Sequence, residues 1–517
     1  MAPRKAPAAP RPPAGPRRSR KAAPVSQTPN APLHAPVEPG ERMGRVDTAW
    51  LRMDSDTNLM MIVGVWVLRP RLSRAALRQR LQERLLKYRR FVQCVVEDLA
   101  GAHWVDDPDF DLDRHLVLET LPPTPGQAPR QALQERLARL TMEPLDRRRP
   151  LWQFHLVEDY DGGSALLVRI HHCIADGMAL IAVMQSLVDG GCAPPERLHA
   201  HHHGGMLGAE EWLADALIRP LTDLTVKALQ MAGDGAVRSV DFWLDPQKGM
   251  EQGLQGTVDV AKLALHVAQD MAALALMPDD SPTRLKGTPG RTKRVAWCAP
   301  LPLEQVKVVG KALGCSINDV LLSCVAGAIG DYLRDKGEPA EGKEIRAMVP
   351  VNLRPLDQAY KLGNHFGLVP VVLPIGLDNP LARLFEVRQR MQSLKGSTQP
   401  LMAYGMLAIA GLLVKPAQDA LLGLFSRKTT AVMTNVPGPR EKQSVCGATI
   451  EESLFWVPQT GTVGLGVSIL SYGGGVQFGV VSDAGLCPDP QAIIDRFAPA
   501  FETLTTLTLM LPWGEPA

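Results

Sequence analysis

In the first third of the chain, stretches whose apolar residues suit a strand alternate with stretches whose apolar spacing suits a helix. A run of β-branched and apolar residues at 61–68 predicts a strand. After Ser73, which suits a helix N-cap, Leu77, Leu81 and Leu85 recur every four residues and predict a helix with one apolar face. Strands that alternate with helices in this manner predict an α/β layer structure.

One junction in this pattern combines an apolar strand with polar residues that can move protons. The β-forming run 165–170 is separated from the apolar segment 178–187 by seven residues, His171-His172-Cys173-Ile174-Ala175-Asp176-Gly177. This order predicts a buried strand, a tight corner and then a helix. The corner is the leading candidate for a functional site at the mouth of a cleft.

The second half of the chain also mixes strands with helices. Ser316 and Asp319 have the spacing of a capping box and open a segment that is apolar most of the way round, which predicts a buried helix. We predict further helices at about 380–395 and 402–424, and a hairpin across the glycines at 473–475.

Composition divides the chain at two places. Residues 1–40 alternate Pro and Ala with seven Lys or Arg against one acid, which predicts a disordered basic tail. The remaining residues hold 49 basic and 53 acidic side chains and are mildly acidic. Residues 191–290 change in character, and we predict that they form a crossover with helices between an N-terminal domain at 41–190 and a C-terminal domain at 291–510.

Two of these features have a composition that suits ligand binding. The histidines clustered at 199–203 lack a carboxylate or cysteine at ligand spacing, so we expect a solvated loop and no metal site. The basic tail could contact an anionic lipid surface or nucleic acid. A solubilising extension is the preferred interpretation of the tail, and no specific nucleic acid is expected.

Cysteine usage and the lengths of the apolar runs indicate the compartment. The eight cysteines are scattered, and no two have Cys-x-x-Cys spacing, which is typical of a reducing compartment. The longest apolar run, 401–414, has 14 residues, whereas a membrane-spanning helix needs about 20. We therefore expect a cytoplasmic protein, or one peripheral to a membrane or to lipid bodies.

The corner contains one candidate general base and two residues, Asp176 and Cys173, that each have two possible roles. Because successive strand residues point to opposite faces, only one of His171 and His172 is predicted to face the cleft, where a neutral imidazole can take a proton from a hydroxyl group. Asp176 either orients a histidine or caps the next helix and pairs with an arginine, and the second role is preferred. Cys173 is either a nucleophile or, as we prefer, a small packing residue.

Three common motifs of other enzyme classes are absent from the sequence. Gly-x-Ser-x-Gly, the P-loop and Gly-x-Gly-x-x-Gly do not occur, which argues against a serine nucleophile, nucleotide-dependent chemistry and hydride transfer. Direct attack by a bound alcohol needs only one catalytic side chain and an oxyanion donor.

Taken together, the motifs resemble those of the bacterial wax ester synthase/diacylglycerol acyltransferase family, within the CoA-dependent acyltransferase superfamily. The resemblance extends from about residue 44 to 510 and rests on several ordered motifs: Val46-Asp47 through Thr57-Asn58, Pro150-Leu151-Trp152, His171-His172-x-x-x-Asp176-Gly177, Asn318-Asp319, Pro350-Val351-Asn352-Leu353-Arg354, Gly363-Asn364-x-Phe366-Gly367 and Thr434-Asn435-Val436-Pro437-Gly438-Pro439.

The resemblance implies an α/β (α+β) fold with two chloramphenicol-acetyltransferase-like domains. Each domain would be a mixed sheet with flanking helices, and an active-site channel would lie between them. The implied reaction moves a long acyl chain from acyl-CoA, a substrate, to diacylglycerol or to a long-chain fatty alcohol. No cofactor and no metal are expected.

The resemblance also implies roles for individual residues. His172 would be the general base, His171 would support it, and Asp176 with Gly177 would structure the loop. From the second domain, Asn318 and Asp319 would line or buttress the site. The local spacing explains Asp319 equally well as a helix cap.

Two other functions are consistent with parts of the sequence. A condensation-type acyltransferase, which takes acyl groups from a carrier protein, would use the same histidine motif. A non-catalytic protein associated with lipid bodies or nucleic acid would use the basic tail instead. An assay with acyl-CoA and alcohol, diacylglycerol and amine acceptors separates these functions.

Overall fold

The computed structural model describes residues 40–98, 101–122, 125–191, 278–354, 361–394, 399–413 and 415–511. From Glu41 onward these residues belong to one compact unit. Residues 1–39 of the predicted basic tail and residues 192–277 of the predicted crossover, including the histidine cluster at 199–203, lie outside the described residues. The domain boundaries therefore stay predictions.

The first half of the chain forms a small sheet and most of a larger one. Its strands are β1 (Glu41–Arg42), β2 (Met61–Arg69), β3 (Gln93–Asp98), β4 (Gly101–Asp106), β5 (Leu116–Glu119), β6 (Trp152–Tyr160) and β7 (Gly163–His171). Its helices are α1 (Arg45–Arg52), α2 (Arg74–Arg84), α3 (Pro129–Leu140) and α4 (Gly177–Leu187). The small sheet has the order β1-β4-β3.

The second half begins its described part at residue 278. Its strands are β8 (Lys293–Trp297), β9 (Leu301–Pro302), β10 (Ile345–Asn352), β11 (Phe366–Leu373), β12 (Ala431–Pro437), β13 (Ser444–Val445), β14 (Ala448–Trp456), β15 (Leu465–Tyr472) and β16 (Gly475–Asp483). Its helices are α5 (Leu303–Ala312), α6 (Ile317–Asp335), α7 (Pro380–Leu394), α8 (Gln399–Ala410), α9 (Lys415–Ser426) and α10 (Gln491–Met510).

Each half carries a large mixed sheet, and two strands of the second half, β13 and β14, belong to the sheet of the first half. The first sheet has the order β13-β14-β2-β7-β6-β5, and the second has the order β11-β10-β12-β15-β16-β8, with β9 beside β16. In the first sheet, β14 pairs antiparallel with β2, so that Leu454 lies opposite Val65. The second half therefore completes the sheet that ends in the histidine corner. The predicted α/β fold with mixed sheets and flanking helices is confirmed.

Helix α6 is the core of the second half. Fourteen of its residues are buried, and it packs against α5, α7 and α10. The capping box is present: the Asp319 backbone N–H donates to Ser316 Oγ at 3.2 Å, and the Ser316 N–H donates to Asp319 Oδ2 at 2.8 Å. The sequence therefore predicts both where this helix starts and that it is buried.

No described helix is by itself long and apolar enough to cross a membrane. Helices α5 and α6 meet the criteria of length and composition together, but they are bent by 100° at their junction.

The prediction of one helix at 402–424 is wrong, because the chain turns between α8 and α9. Gly411 in this turn lies so close to α1 that an added Cβ would meet the Arg45 carbonyl oxygen at 1.8 Å. In α9, Gln418 Nε2 donates a hydrogen bond to the Ala49 carbonyl oxygen at 2.9 Å. The break thus lets two helices of the second half hold α1, which reaches the histidine corner.

Candidate active site

The corner predicted from the sequence joins β7 to α4. Strand β7 ends at His171, whose partner across the sheet is Met61 of β2. The next residue, His172, is also hydrogen-bonded to the segment that leads into β2, since its N–H donates to the Met60 carbonyl oxygen at 2.7 Å. Helix α4 begins at Gly177, and Asp176 is its N-cap. The structure thus has the predicted order of strand, corner and helix.

His171 points away from the cavity and holds the loop that follows α1. The Cys173 N–H donates to His171 Nδ1 at 3.1 Å, so this nitrogen carries no proton and Nε2 donates to Asp54 Oδ1 at 3.3 Å. Asp54 also accepts hydrogen bonds from the Met60 N–H and from Arg147. Burial tends to raise the pKa of Asp54, but the bonds from His171 and its other donors outweigh burial and lower it.

His172 lines the main cavity and is stacked against an aromatic ring. Its imidazole lies 4.0 Å from the Trp50 indole, centroid to centroid, with 9° between the planes. Phe366 lies on another side, with ring centroids 5.5 Å apart. Burial lowers the pKa of His172 to about 4, so the imidazole is neutral at physiological pH. A neutral imidazole is the form that can accept a proton.

An asparagine from the second half contacts His172 through both its side chain and its backbone. The distance from His172 Nδ1 to Asn364 Oδ1 is 2.9 Å. Asn364 Nδ2 donates to the His172 carbonyl oxygen at 2.7 Å and to Asp47 Oδ1 at 2.8 Å, and the Asn364 N–H donates to the same Asp47 oxygen at 2.9 Å. Three segments that are far apart in sequence therefore meet at this histidine.

Asp47 lies in the first turn of α1, behind Asn364. Desolvation by the surrounding protein raises the pKa of Asp47 to about 6, and the two hydrogen bonds from Asn364 act in the opposite direction. At neutral pH this carboxylate is ionised and accepts from Asn364.

Asp176 makes contacts that hold the corner against the second half. Its Oδ1 accepts from the Ala179 N–H at 2.9 Å, as an N-cap does, and its Oδ2 accepts from the His365 N–H at 3.0 Å. Arg354 Nη2 lies 3.6 Å from Asp176 Oδ2, and both side chains are buried. These are the contacts of the preferred loop-structuring role, and no described contact joins Asp176 directly to either histidine ring.

The cavity beside His172 has a volume of about 290 Å³ and is formed by both halves of the chain. Trp50, His172, Asp176 and Gly177 line it from the first half. The second half lines it mainly with apolar side chains, among them Leu368, Leu407, Leu421, Phe425, Val436 and Val463. Its apolar lining suits a hydrocarbon chain next to one basic nitrogen.

A second apolar cavity, of about 90 Å³, lies between α4 and the strands β2, β7 and β14. Gly177 and Phe455 line both cavities. A Cβ added at Gly177 would meet no atom within 4 Å, so there is room for a small side chain at this position. The last residue of the histidine motif therefore lies where the two apolar spaces adjoin.

The structure places Asn318 and Asp319 differently from each other. Asn318 is exposed, and its Oδ1 accepts from Asn435 Nδ2 at 2.9 Å. Asn435 lines the main cavity, so Asn318 reaches the site only through this neighbour. Asp319 is buried in the capping box of α6. Asn435 lines the cavity together with its neighbours Thr434, Val436 and Pro437 on β12.

The remaining chemical candidates at the corner are inert in this structure. Cys173 is fully buried, and burial raises the pKa of its thiol well above the ordinary value, so it stays protonated. Within the described ranges, no three His, Cys, Asp or Glu side chains are grouped so that they could hold a metal ion.

The residue pattern at the corner does not predict that Trp50, Asp47 and Asn364 contact His172 or its network, although each lies in or near a motif that carries the family resemblance. Asn364 is 192 residues from His172 and 317 residues from Asp47 in the sequence. Hydrophobic periodicity and local spacing do not indicate contacts across such separations. The signal that was present is the pair Gly363-Asn364, a turn residue followed by a polar residue just before a strand.

Comparison with protein families identifies the chain. Residues 43–321 match the wax ester synthase/diacylglycerol acyltransferase catalytic domain, and residues 362–505 match the WS/DGAT C-terminal domain. The first of these regions alone is more than half of the chain.

Relatives named as diacylglycerol O-acyltransferases are more than a quarter identical to it over the aligned residues. Tgs1 of Mycobacterium tuberculosis (strain H37Rv) is 29% identical over 397 residues, which is 76% of this chain and 79% of that protein. Rv3740c of the same strain is 28% identical over 413 residues, 78% of this chain and 84% of that protein.

Solved structures with the same fold include the wax ester synthase/diacylglycerol acyltransferase from Marinobacter aquaeolei VT8. It has a TM-score of 0.60 at 19% identity and covers 91% of this chain and all of that chain. The first condensation domain of the CDA synthetase has a TM-score of 0.53 at 15% identity, over 91% of this chain and 96% of that chain. On the strength of the two family matches, the chain is an acyltransferase that belongs to the wax ester synthase/diacylglycerol acyltransferase family.

Proposed function

We propose that the enzyme transfers a long-chain acyl group from acyl-CoA to the hydroxyl group of diacylglycerol or of a long-chain fatty alcohol, with His172 as the general base. The observation that carries this proposal is a neutral histidine in the wall of an apolar cavity. His172 is 3% exposed and its Nδ1 contacts Asn364, so Nε2 is the nitrogen that serves the cavity. Acyl-CoA is the donor, and no further cofactor is part of the proposal.

The reaction needs one base and no covalent enzyme intermediate. His172 Nε2 accepts the hydroxyl proton while the hydroxyl oxygen attacks the thioester carbonyl carbon. The tetrahedral intermediate then collapses, the C–S bond breaks, and the imidazolium gives its proton to the leaving CoA thiolate. Atoms and charge balance, because the proton that leaves the alcohol ends on CoA.

The supporting residues keep this geometry fixed. His171 ties the corner to Asp54, and Asp176 ties it to Arg354 and to the His365 N–H. The apolar lining excludes water, which would otherwise compete with the alcohol and hydrolyse the thioester. Cys173 is a buried thiol, so direct attack by the acceptor is favoured over a thioester-linked enzyme.

The test is a transfer assay with purified enzyme and radiolabelled palmitoyl-CoA. Hexadecanol, a dipalmitoylglycerol and hexadecylamine are supplied in separate reactions, and product esters and amides are resolved. We expect ester from at least one hydroxyl acceptor. Amide as the sole product would replace the proposal by a condensation-type reaction, and the lack of any product from palmitoyl-CoA would overturn it.

The role of His172 is tested in the same assay. His172→Ala is expected to lower the rate by about 10²–10⁴-fold, the usual size of a general-base contribution. His103→Ala, on β4 of the small sheet, is the matched control and should keep its activity. Near-normal turnover by folded His172→Ala would overturn the assignment.

A lipid surface is the proposed source of the acceptor. Diacylglycerol and long-chain alcohols partition into membranes and lipid bodies, so the enzyme would work peripherally at such a surface. Flotation with phosphatidylcholine vesicles that contain diacylglycerol tests this. We expect the enzyme to float with the vesicles, and recovery only in the dense fractions would argue against a peripheral location.

A further inference from the structure

His172 is held by a side chain that determines which of its two nitrogens is basic. We propose that Asn364 is the positioning residue that fixes His172 with its proton on Nδ1, and that Asp47 acts through Asn364 by fixing the orientation of its amide. This inference rests on the proposed function, because it concerns the base of that reaction.

The orientation of the Asn364 amide follows from its partners. The group facing the His172 carbonyl oxygen, at 2.7 Å, must be the NH₂, since a carbonyl oxygen only accepts hydrogen bonds. The same NH₂ faces Asp47 Oδ1 at 2.8 Å. Both hydrogens of the amide are thereby used. The amide oxygen is consequently the atom that faces His172 Nδ1, at 2.9 Å.

The tautomer of His172 follows from the orientation of that amide. An amide oxygen cannot donate, so His172 Nδ1 must carry the hydrogen in the bond to Asn364 Oδ1. Nε2 of the neutral ring then has a free lone pair. Asn364 is not among the described residues that line the cavity, and His172 is, so the unprotonated nitrogen is the one left for the substrate. The network thus selects the tautomer that the reaction requires.

The arrangement is rigid and shielded from water. Asn364 is 2% exposed and is held at its backbone as well as its side chain, because its N–H also donates to Asp47 Oδ1 at 2.9 Å. Gly363 before it has a φ of 107°, which a residue with a side chain rarely adopts. The turn that presents Asn364 therefore depends on a glycine at 363.

The network also stabilises the charge that forms during reaction. When Nε2 takes the hydroxyl proton, the ring becomes an imidazolium and its Nδ1–H becomes a stronger donor to Asn364 Oδ1. The Asp47 carboxylate accepts from the NH₂ of the Asn364 amide and thereby increases the negative charge on the amide oxygen. This oxygen is the atom that faces the imidazolium. The other ionisable groups that face the network are Asp176 and His171 at the corner and Arg90 beside Asp47.

Histidine-selective ¹⁵N NMR of the full-length enzyme at neutral pH observes the tautomer directly. The ¹⁵N shifts distinguish a protonated from an unprotonated ring nitrogen, and His172→Gln assigns the signal. We expect His172 to carry its proton on Nδ1. A wild-type spectrum with the proton on Nε2 would overturn the inference, whatever the transferase assay shows, so its failure is distinguishable from failure of the proposed function.

Variants test whether Asn364 is responsible. Asn364→Leu should lower kcat by about 10–100-fold, less than the loss of the base itself, with little change in KM because Asn364 does not line the cavity. The His172 signal should become a mixture of tautomers. Asn379→Leu, at an exposed cap before α7, is the matched control and should keep the wild-type kcat and the wild-type tautomer of His172.

A charge swap keeps the inference testable if Asn364→Leu does not fold. The double variant Asp47→Asn/Asn364→Asp restores a donor facing an acceptor between the two side chains and presents a carboxylate to His172 Nδ1, but it loses the hydrogen bond to the His172 carbonyl oxygen. It should retain the Nδ1–H tautomer and move the acidic limb of the kcat/KM profile to higher pH, because a carboxylate favours the imidazolium. A swap with an unmoved limb, or a folded Asn364→Leu with wild-type kcat and tautomer, would show that Asn364 has a structural role only.

Discussion

The imidazole of His172 lies parallel to the indole of Trp50, with the ring centroids 4.0 Å apart. Trp50 is brought there by α1, which α8 and α9 of the second half hold in place through Gly411 and Gln418. The indole covers one face of the base and keeps water from it. It therefore contributes to the burial that lowers the pKa of His172 to about 4.

Replacing Trp50 should change the pH dependence of the reaction. Trp50→Ala admits water to the ring, so the pKa of His172 should rise from about 4 towards its ordinary value of 6.5, and the acidic limb of kcat/KM should move up with it. Trp50→Phe should leave the acidic limb near its wild-type position. The buried Trp50 Nε1 has no hydrogen-bond partner among the described residues, so Phe loses no hydrogen bond there. An identical limb in wild type and Trp50→Ala would contradict this account.

The pair Arg354 and Asp176 should contribute strongly to stability. Their side chains are 7% and 4% exposed, and removing one partner leaves a buried charge, at a cost of about 3–5 kcal/mol. Asp176→Asn should therefore lower the urea midpoint substantially, although its side-chain oxygen can still cap α4. In a double-mutant cycle with Arg354→Gln, the two losses should sum to more than the loss in the double variant.

A surface pair serves as the control for this cycle. Asp146 and Arg148 also form an ion pair, but Arg148 is 88% exposed. Asp146→Asn should leave the midpoint almost unchanged. Additive losses for the buried pair, or equal losses for the two pairs, would show that Asp176 acts only as a helix cap.

Much of the fold could be predicted from hydrophobic periodicity. The strand at 61–68, the helix that Ser73 caps and the hairpin at 473–475 are present as β2, α2 and the turn between β15 and β16. These elements are determined by neighbouring residues, which is why a local pattern predicts them. Helix α5 and strand β14 were not predicted. The residues of β14 alternate only weakly, and the strand is stabilised by pairing with β2, about 390 residues away in the sequence.

The candidate site was predictable only in part, for the same physical reason. Strand alternation predicts that His171 and His172 diverge, and in the structure one contacts Asp54 while the other lines the cavity. Their catalytic roles stay predictions. Asn318 was expected to line or buttress the site. It is exposed and does not itself line the cavity, and it contacts Asn435, which does. Which polar residue of the second half reaches His172 depends on the packing of the two sheets, and no local pattern encodes that.

Gly177 should influence which chain lengths the enzyme accepts. It lines both apolar cavities, and a side chain there would project into open space. Gly177→Ala should be tolerated. Gly177→Leu should occupy part of the two cavities and lower kcat/KM for palmitoyl-CoA by about 10-fold or more relative to butyryl-CoA, since a few methylenes are worth several kcal/mol in an apolar site.

The comparison of two donors separates obstruction from general damage. A folded Gly177→Leu variant that loses activity equally with both donors would show that the cavities beside Gly177 do not hold the acyl chain. In that case the same variant, assayed with hexadecanol and butanol, should show the discrimination on the acceptor side. Equal losses with all four substrates would remove any role for the second cavity.

The stability of the folded enzyme should respond to acid through two opposing groups of one network. The pKa of His172 is about 4 in the folded state and ordinarily 6.5, so between these values the unfolded chain binds more protons there and stability falls as the pH falls. The pKa of Asp47 is about 6 in the folded state and ordinarily 3.8, so in the window from 6 to 3.8 the folded chain binds more protons there and stability rises as the pH falls.

Removing either group should therefore unbalance the response in a defined direction. Asp47→Asn loses the contribution that favours the fold in acid, so its urea midpoint should fall more steeply than that of the wild type between pH 6 and pH 4. His172→Gln loses the opposite contribution and should have a shallower fall over the same range. Midpoints measured at pH 4.5, 5.5 and 6.5 give the slopes. Slopes that match the wild type in both variants would show that neither group titrates as its burial in this network requires.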